Sequence, residues 1–106
     1  MPTPSDLEAR VINSLEKYNV DYIFQYSIGG GASVRGGILV DFIVYNPFAI
    51  PVEVQGEHWH QEELDAEDRL RAARIEEYFG RELIYLWGDE LSDQEETDQT
   101  VRDKIL

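Results

Sequence analysis

Apolar residues return every three or four positions through "SDLEARVINSLEKYNV", residues 5–20, placing Leu7, Val11, Leu15 and Tyr18 along one side of a helix. Ser5 stands ahead of them as an N-cap with Glu8 three residues on, the spacing of a capping box. The period then drops to two. In "DYIFQYSI", residues 21–28, Tyr22, Phe24, Tyr26 and Ile28 alternate with Ile23, Gln25 and Ser27, which predicts a strand. Five glycines within "GGGASVRGG", residues 29–37, exclude a helix or strand interior and predict a loop. "ILVDFIVY" (38–45) and "IPVEVQ" (50–55) read as a second and third strand joined by the turn "NPFA", an antiparallel hairpin. A long helix over 60–80 follows, carrying Leu64, Ala72, Ile75 and Phe79 on one face and Gly80 at its C-cap. "ELIYLW" (82–87) is a fourth, short strand, and 92–106 an acidic amphipathic helix using Val101 and Ile105. The predicted order is αβββαβα: an α/β fold with a mixed four-stranded sheet flanked by helices, since a strand reached through a helix implies a crossover connection.

One residue breaks this pattern. A strand covered on both faces reads as a continuous apolar run, yet Asp41 interrupts "ILVDFIV", and a buried carboxylate needs a partner. Glu53 and Gln55 lie two apart on the next strand, so they share a face about 6.5 Å apart. Where the hairpin sets Asp41 beside them, two carboxylates and an amide oxygen converge. Hard oxygen donors of that number suit magnesium, with manganese as a substitute, and the ion's charge offsets the cost of burying the acids.

Charge and composition narrow the classes. At 106 residues the chain is read as one domain, 1–106, with 42% hydrophobic and 11% aromatic residues, the composition of a globular protein. There is no cysteine, hence no disulfide framework or thiolate metal site. No apolar run is long enough to span a bilayer, and "MPTPSDLEAR" lacks the features of a signal peptide, so no membrane role and a cytoplasmic location are expected. The net charge of −13 argues against nucleic acid at face value. Two blocks, 57–68 and 89–98, hold twelve of the 22 acids and no Lys or Arg, leaving ten acids against nine bases elsewhere. The ordinary reading of such blocks is a solvated helix surface.

The segment "VDFIV", then "VEVQG" after a short turn, resembles the signature of the PD-(D/E)XK nuclease superfamily, an acid on one strand and an acid-x-Lys on the next. With "GG" before "VDF", "VQGEHWH" after it, a charged helix and "LIYLWGDEL", residues 5–91 are similar to the small single-domain branch around very-short-patch repair endonucleases and nuclease-like phage proteins. The resemblance implies a restriction-endonuclease-like core and a metal-dependent DNA endonuclease of nicking or junction-resolving type. It further implies that Asp41 and Glu53, helped by the Val54 carbonyl, hold Mg2+, that Gln55 stands where lysine is usual, and that Glu8 touches the metal shell, with Glu16 as fallback. His60 would assist the water or leaving group, and Arg69 would be the helix's basic residue. Arg35 and the glycine loop, including Gly36 and Gly37, would lie against the backbone of duplex or branched DNA. A homodimer, in a bacterial or phage-infected cell, fits so small a gripping surface.

Each residue also has a plain role to set beside this one. Asp41 can pair with an arginine, and Glu8 can close the capping box with Ser5, which excludes a metal role. His58 reads as structural or exposed, and Trp59 and Trp87 as core. Two other classes stand beside the enzyme: a catalytically silent DNA- or protein-binding module, and a structural protein, for instance of a phage particle, that holds an ion for stability.

Overall fold

The computed structural model describes residues 3–30, 35–56 and 66–106. Helix α1 (Asp6–Lys17) starts where predicted, because its first amides find side-chain acceptors. Glu8 N–H donates to Ser5 Oγ at 3.2 Å and Ser5 N–H donates to Glu8 Oε1 at 2.9 Å, a complete capping box. It ends at Asn19, whose left-handed φ of 55° turns the chain into β1 (Asp21–Ile28), a conformation asparagine tolerates better than most residues.

Strands β2 (Ile38–Tyr45) and β3 (Ala49–Gln55) form the expected hairpin. Helix α2 (Ala66–Phe79) ends against Gly80, φ 67°, and leads to β4 (Ile84–Trp87). A single 3-10 turn over Gly88–Glu90 precedes α3 (Gln94–Lys104). The sheet order is β1-β2-β3-β4, antiparallel for the first two pairings and parallel between β3 and β4, as an α2 crossover demands. The fold class is therefore the α/β mixed sheet that the periodicity predicts. No helix among the described residues is long and apolar enough to cross a membrane.

The sheet separates two apolar layers. Val11 and Leu15 of α1 and Val101 of α3 cover Phe42, Val44, Val52 and Leu86 on one face. Ile75 of α2 covers Ile38, Val40 and Ile43 on the other. Complete burial of a side chain such as Leu15 or Ile75 contributes about 1.5 to 3 kcal/mol.

One acid of the 89–98 block departs from the solvated-surface expectation. Asp98 is 6% exposed, wedged between α1 and α3. Lys17 Nζ donates to its Oδ2 at 2.7 Å, while Ser14 Oγ and Gln94 Nε2 donate to its Oδ1 at 2.5 and 3.0 Å. These donors, Lys17 foremost, hold its carboxyl down at about 2 from the usual 3.8. Burial is possible because these three donors satisfy both carboxylate oxygens. Asp98→Ala should lower the unfolding free energy by about 2 kcal/mol in urea titrations at pH 7. Because the folded pKa lies below the unfolded one, this contribution is complete above about pH 4 and disappears as pH falls through about 2. Wild type and variant should converge there.

Candidate active site

Asp41 occupies a fork in the sheet. On β2, Phe42 packs into the layer under α1 and α3, whereas Val40 packs with Ile43 under α2, so simple alternation is interrupted at Asp41. On the neighbouring strand the ladder passes from Phe24↔Phe42 to Tyr26↔Val40, and the intervening Gln25 has a φ of 60°. Such a backbone turn re-aims side chains locally, as bulges do. On the other side, the β2–β3 ladder runs from Tyr45↔Ala49 to Phe42↔Val52 and stops one residue short of setting Asp41 opposite Glu53. From Val52 onward, β3 pairs with β4. In the gap Asp41 Oδ2 accepts the Val54 N–H at 2.9 Å, so a carboxylate takes the place of a ladder carbonyl. The aspartate in an apolar strand is thus the residue at which two strands part.

Glu53 faces the same gap and is 2% exposed. Burial, then the Asp41 carboxylate within hydrogen-bonding reach, pushes its pKa from 4.5 up to about 8, and Arg71 opposes both. Arg71 reaches from α2: its Nη1 forms an ion pair with Glu53 Oε1, and its Nη2 donates to the Leu39 carbonyl at 2.6 Å. Glu53 Oε1 is thus a buried oxygen whose partner among the described residues is the Arg71 guanidinium. Opposite Glu53 and Gln55 on β4 stand Tyr85 and Trp87, stacked at 5.3 Å between ring centroids. Trp87 is buried, as the core reading expects.

The expected residues fall into three groups. Asp41 and Glu53 come together, and half-buried Gln55 stands two residues beyond Glu53 on β3. Val54 joins them through its N–H to Asp41, a contact the sequence does not announce. Arg35 and Gly36 are exposed and Gly37 half-buried at the entrance to β2, where the Gly36 carbonyl accepts Arg74 Nη2 at 2.7 Å. Glu8 requires a correction. Its carboxylate is engaged by its own helix N-terminus, so of its two mutually exclusive roles the capping box is the one adopted. His60, with His58 and Trp59, lies outside the described residues.

Arg71 is the site residue that sequence reasoning passed over in favour of Arg69. Arg69 is exposed on α2, while Arg71 stands one turn before the buried Ile75 and shares its side of the helix. That four-residue spacing was the available signal.

Among the described residues no group of three or more His, Cys, Asp or Glu could hold a metal ion. The Asp41 and Glu53 pair nonetheless fits a hard divalent cation, because two carboxylates converge there and Gln55 follows two residues after Glu53 on the same strand.

No protein-family model and no curated protein matches the sequence. Among solved structures, the fold is similar to the catalytic domain of the homing endonuclease I-Bth0305I. The TM-score is 0.59 at 20% identity, over 94% of this chain and 93% of that one.

Proposed function

We propose that this protein is a divalent-metal-dependent DNA endonuclease whose reacting centre is the fork between β2 and β3. The observation that carries the reading is the convergence of two carboxylates, Asp41 and buried Glu53, in the gap between the strands. A buried carboxylate raised to about 8 is a poor structural choice and a good cation ligand. The resemblance of the fold to a homing endonuclease catalytic domain agrees with it.

Asp41 and Glu53 would hold Mg2+ or Mn2+, which supplies Lewis-acid and water-activating chemistry when bound. Asp41 is fixed for that task because its other oxygen is tied to the Val54 amide. Gln55, neutral, can orient a water or accept through its oxygen but adds no charge. In the reaction a water oxygen bonds to phosphorus, the ester P–O bond breaks, one water proton passes to solvent and the leaving oxygen takes one up. Arg35 and Arg69, both exposed, would contact the flanking backbone of duplex or branched DNA. A second copy of the chain would complete the grip on a long duplex.

Gln55 is the observation that favours a second reading, a nuclease fold that binds DNA or a protein without cleaving. Supercoiled plasmid and a synthetic four-way junction, incubated at low salt with magnesium, manganese or chelator, separate the two. Cleavage is expected with either ion, none in chelator and none with Asp41→Ala. Salt-sensitive binding without cleavage by wild type would establish the silent module instead.

A further inference from the structure

Charge at the fork does not close with the groups proposed so far. Two carboxylates and one divalent ion cancel, and Gln55 contributes nothing, so the occupied centre would be neutral where an anionic phosphodiester must bind. That diester gathers further negative charge on its oxygens as phosphorus becomes five-coordinate, and preorganised positive charge there is worth much in rate. Arg71 is the basic side chain among the described residues that reaches the pair. The other well-placed cations are engaged elsewhere: Arg74 with Gly36, Lys17 with Asp98, Lys104 with Glu90.

We propose that Arg71 is the phosphate-contacting cation of this site: it pairs with Glu53 in the metal-free protein and would turn to the scissile phosphate when a divalent ion takes its place on the carboxylate. The inference rests on the nuclease reading above. Three features of the contact support a guanidinium built to change partners. Its Nη1 pairs with Glu53 Oε1, a carboxylate oxygen that a bound cation would take over. Its Nη2 is anchored separately on the Leu39 carbonyl, two residues before Asp41, which keeps the group over the fork after Glu53 lets go. Its side chain is 37% exposed, so it lies between the buried carboxylate and the solvent from which a substrate would arrive. Arginine also presents paired donors that match two phosphate oxygens at once. The arrangement places on a helix the positive charge that Gln55 lacks on the strand.

Manganese titration by calorimetry and steady-state cleavage of a fluorescent duplex, on wild type, Arg71→Ala and Arg71→Lys, test this. Arg71→Ala should bind Mn2+ as tightly as wild type or more so, because a competing cation is gone. Its kcat should fall on the order of 10²-fold, the usual effect of removing a donor to a developing anion, with a smaller change in KM. Arg71→Lys should recover part of kcat, and added guanidinium, far below denaturing concentrations, should restore part of the Arg71→Ala rate. Unchanged kcat in Arg71→Ala would overturn the phosphate role. Weaker Mn2+ binding with a lower Tm, unrelieved by lysine or guanidinium, would make Arg71 merely structural. A wild type inert on every DNA overturns the nuclease reading, and the phosphate role falls with it; that failure shows in the wild-type arm alone.

Discussion

Glu53→Gln is expected to remove cleavage and, in the metal-free protein at alkaline pH, to make the fold more stable. The two effects have one cause. Glu53 is buried beside Asp41, so its ionised form is disfavoured, and Arg71 offsets only part of that cost. In the unfolded chain its pKa is near 4.5; in the folded chain it is about 8. The folded state thus holds this proton more tightly, so the contribution to stability is complete below about pH 4.5 and is lost as pH rises through about 8. At roughly 1.4 kcal/mol per pH unit the loss approaches roughly 3 to 5 kcal/mol by pH 9. Glutamine has the shape of the protonated acid and no proton to lose. In chelator, urea titrations should find wild type and Glu53→Gln alike near pH 5, and the variant more stable at pH 9. Manganese should reverse the order at pH 8, raising the Tm of wild type and leaving the variant nearly unmoved. Cleavage should drop on the order of 10³-fold or more, since the amide keeps the volume and discards the charge that would hold the proposed ion. A variant that loses stability at pH 9 in chelator would mean that the Arg71 pair outweighs desolvation and that Glu53 is a structural ion-pair partner.

How much of this could be read beforehand depends on whether a residue's role is local. The capping box at Ser5 and Glu8, the Gly80 stop and the strand periods are local, and the chain displays them. Asp41 was conspicuous because it violated a local rule, and such violations mark sites. What it is paired with was legible only in part. That Glu53 lies nearby follows from the hairpin, but the Val54 N–H becomes available only because β3 leaves β2 for β4, a tertiary event. The choice between Arg69 and Arg71 is a question of helix phase: two residues are about 200° apart on a helix, so one faces the sheet and the other does not. Ile75 sets that phase, and its weight was visible only once the sheet was in place. Asp98 was hidden for the same reason, its donors Ser14 and Lys17 lying some eighty residues earlier.

Gly56 and Gly88 show the same limit at the backbone and carry the second large prediction. Each follows the last residue of a strand, and those last residues, Gln55 and Trp87, are partners in the parallel ladder. A Cβ on Gly88 would sit 2.2 Å from the Gly56 carbonyl oxygen and 3.0 Å from its carbon, whereas one on Gly56 would meet nothing within 4 Å among the described residues. Neither contact can be relieved by rotating a side chain, because the obstacle is main chain held by the sheet. Gly88→Ala must therefore drive the end of β3 away from β4, at a cost of about 3 kcal/mol, at the upper end of what overpacking does. The displaced segment carries Gln55 and, two residues earlier, Glu53. Cleavage should then fall at least as far as one ångström of misplacement implies, about 10²-fold, although alanine at 88 would touch no reacting group. Gly56→Ala should leave both Tm and rate within about 0.5 kcal/mol of wild type. If the two variants behave alike, the ends of β3 and β4 do not meet in solution, and the fork loses the support that keeps Glu53 near Asp41.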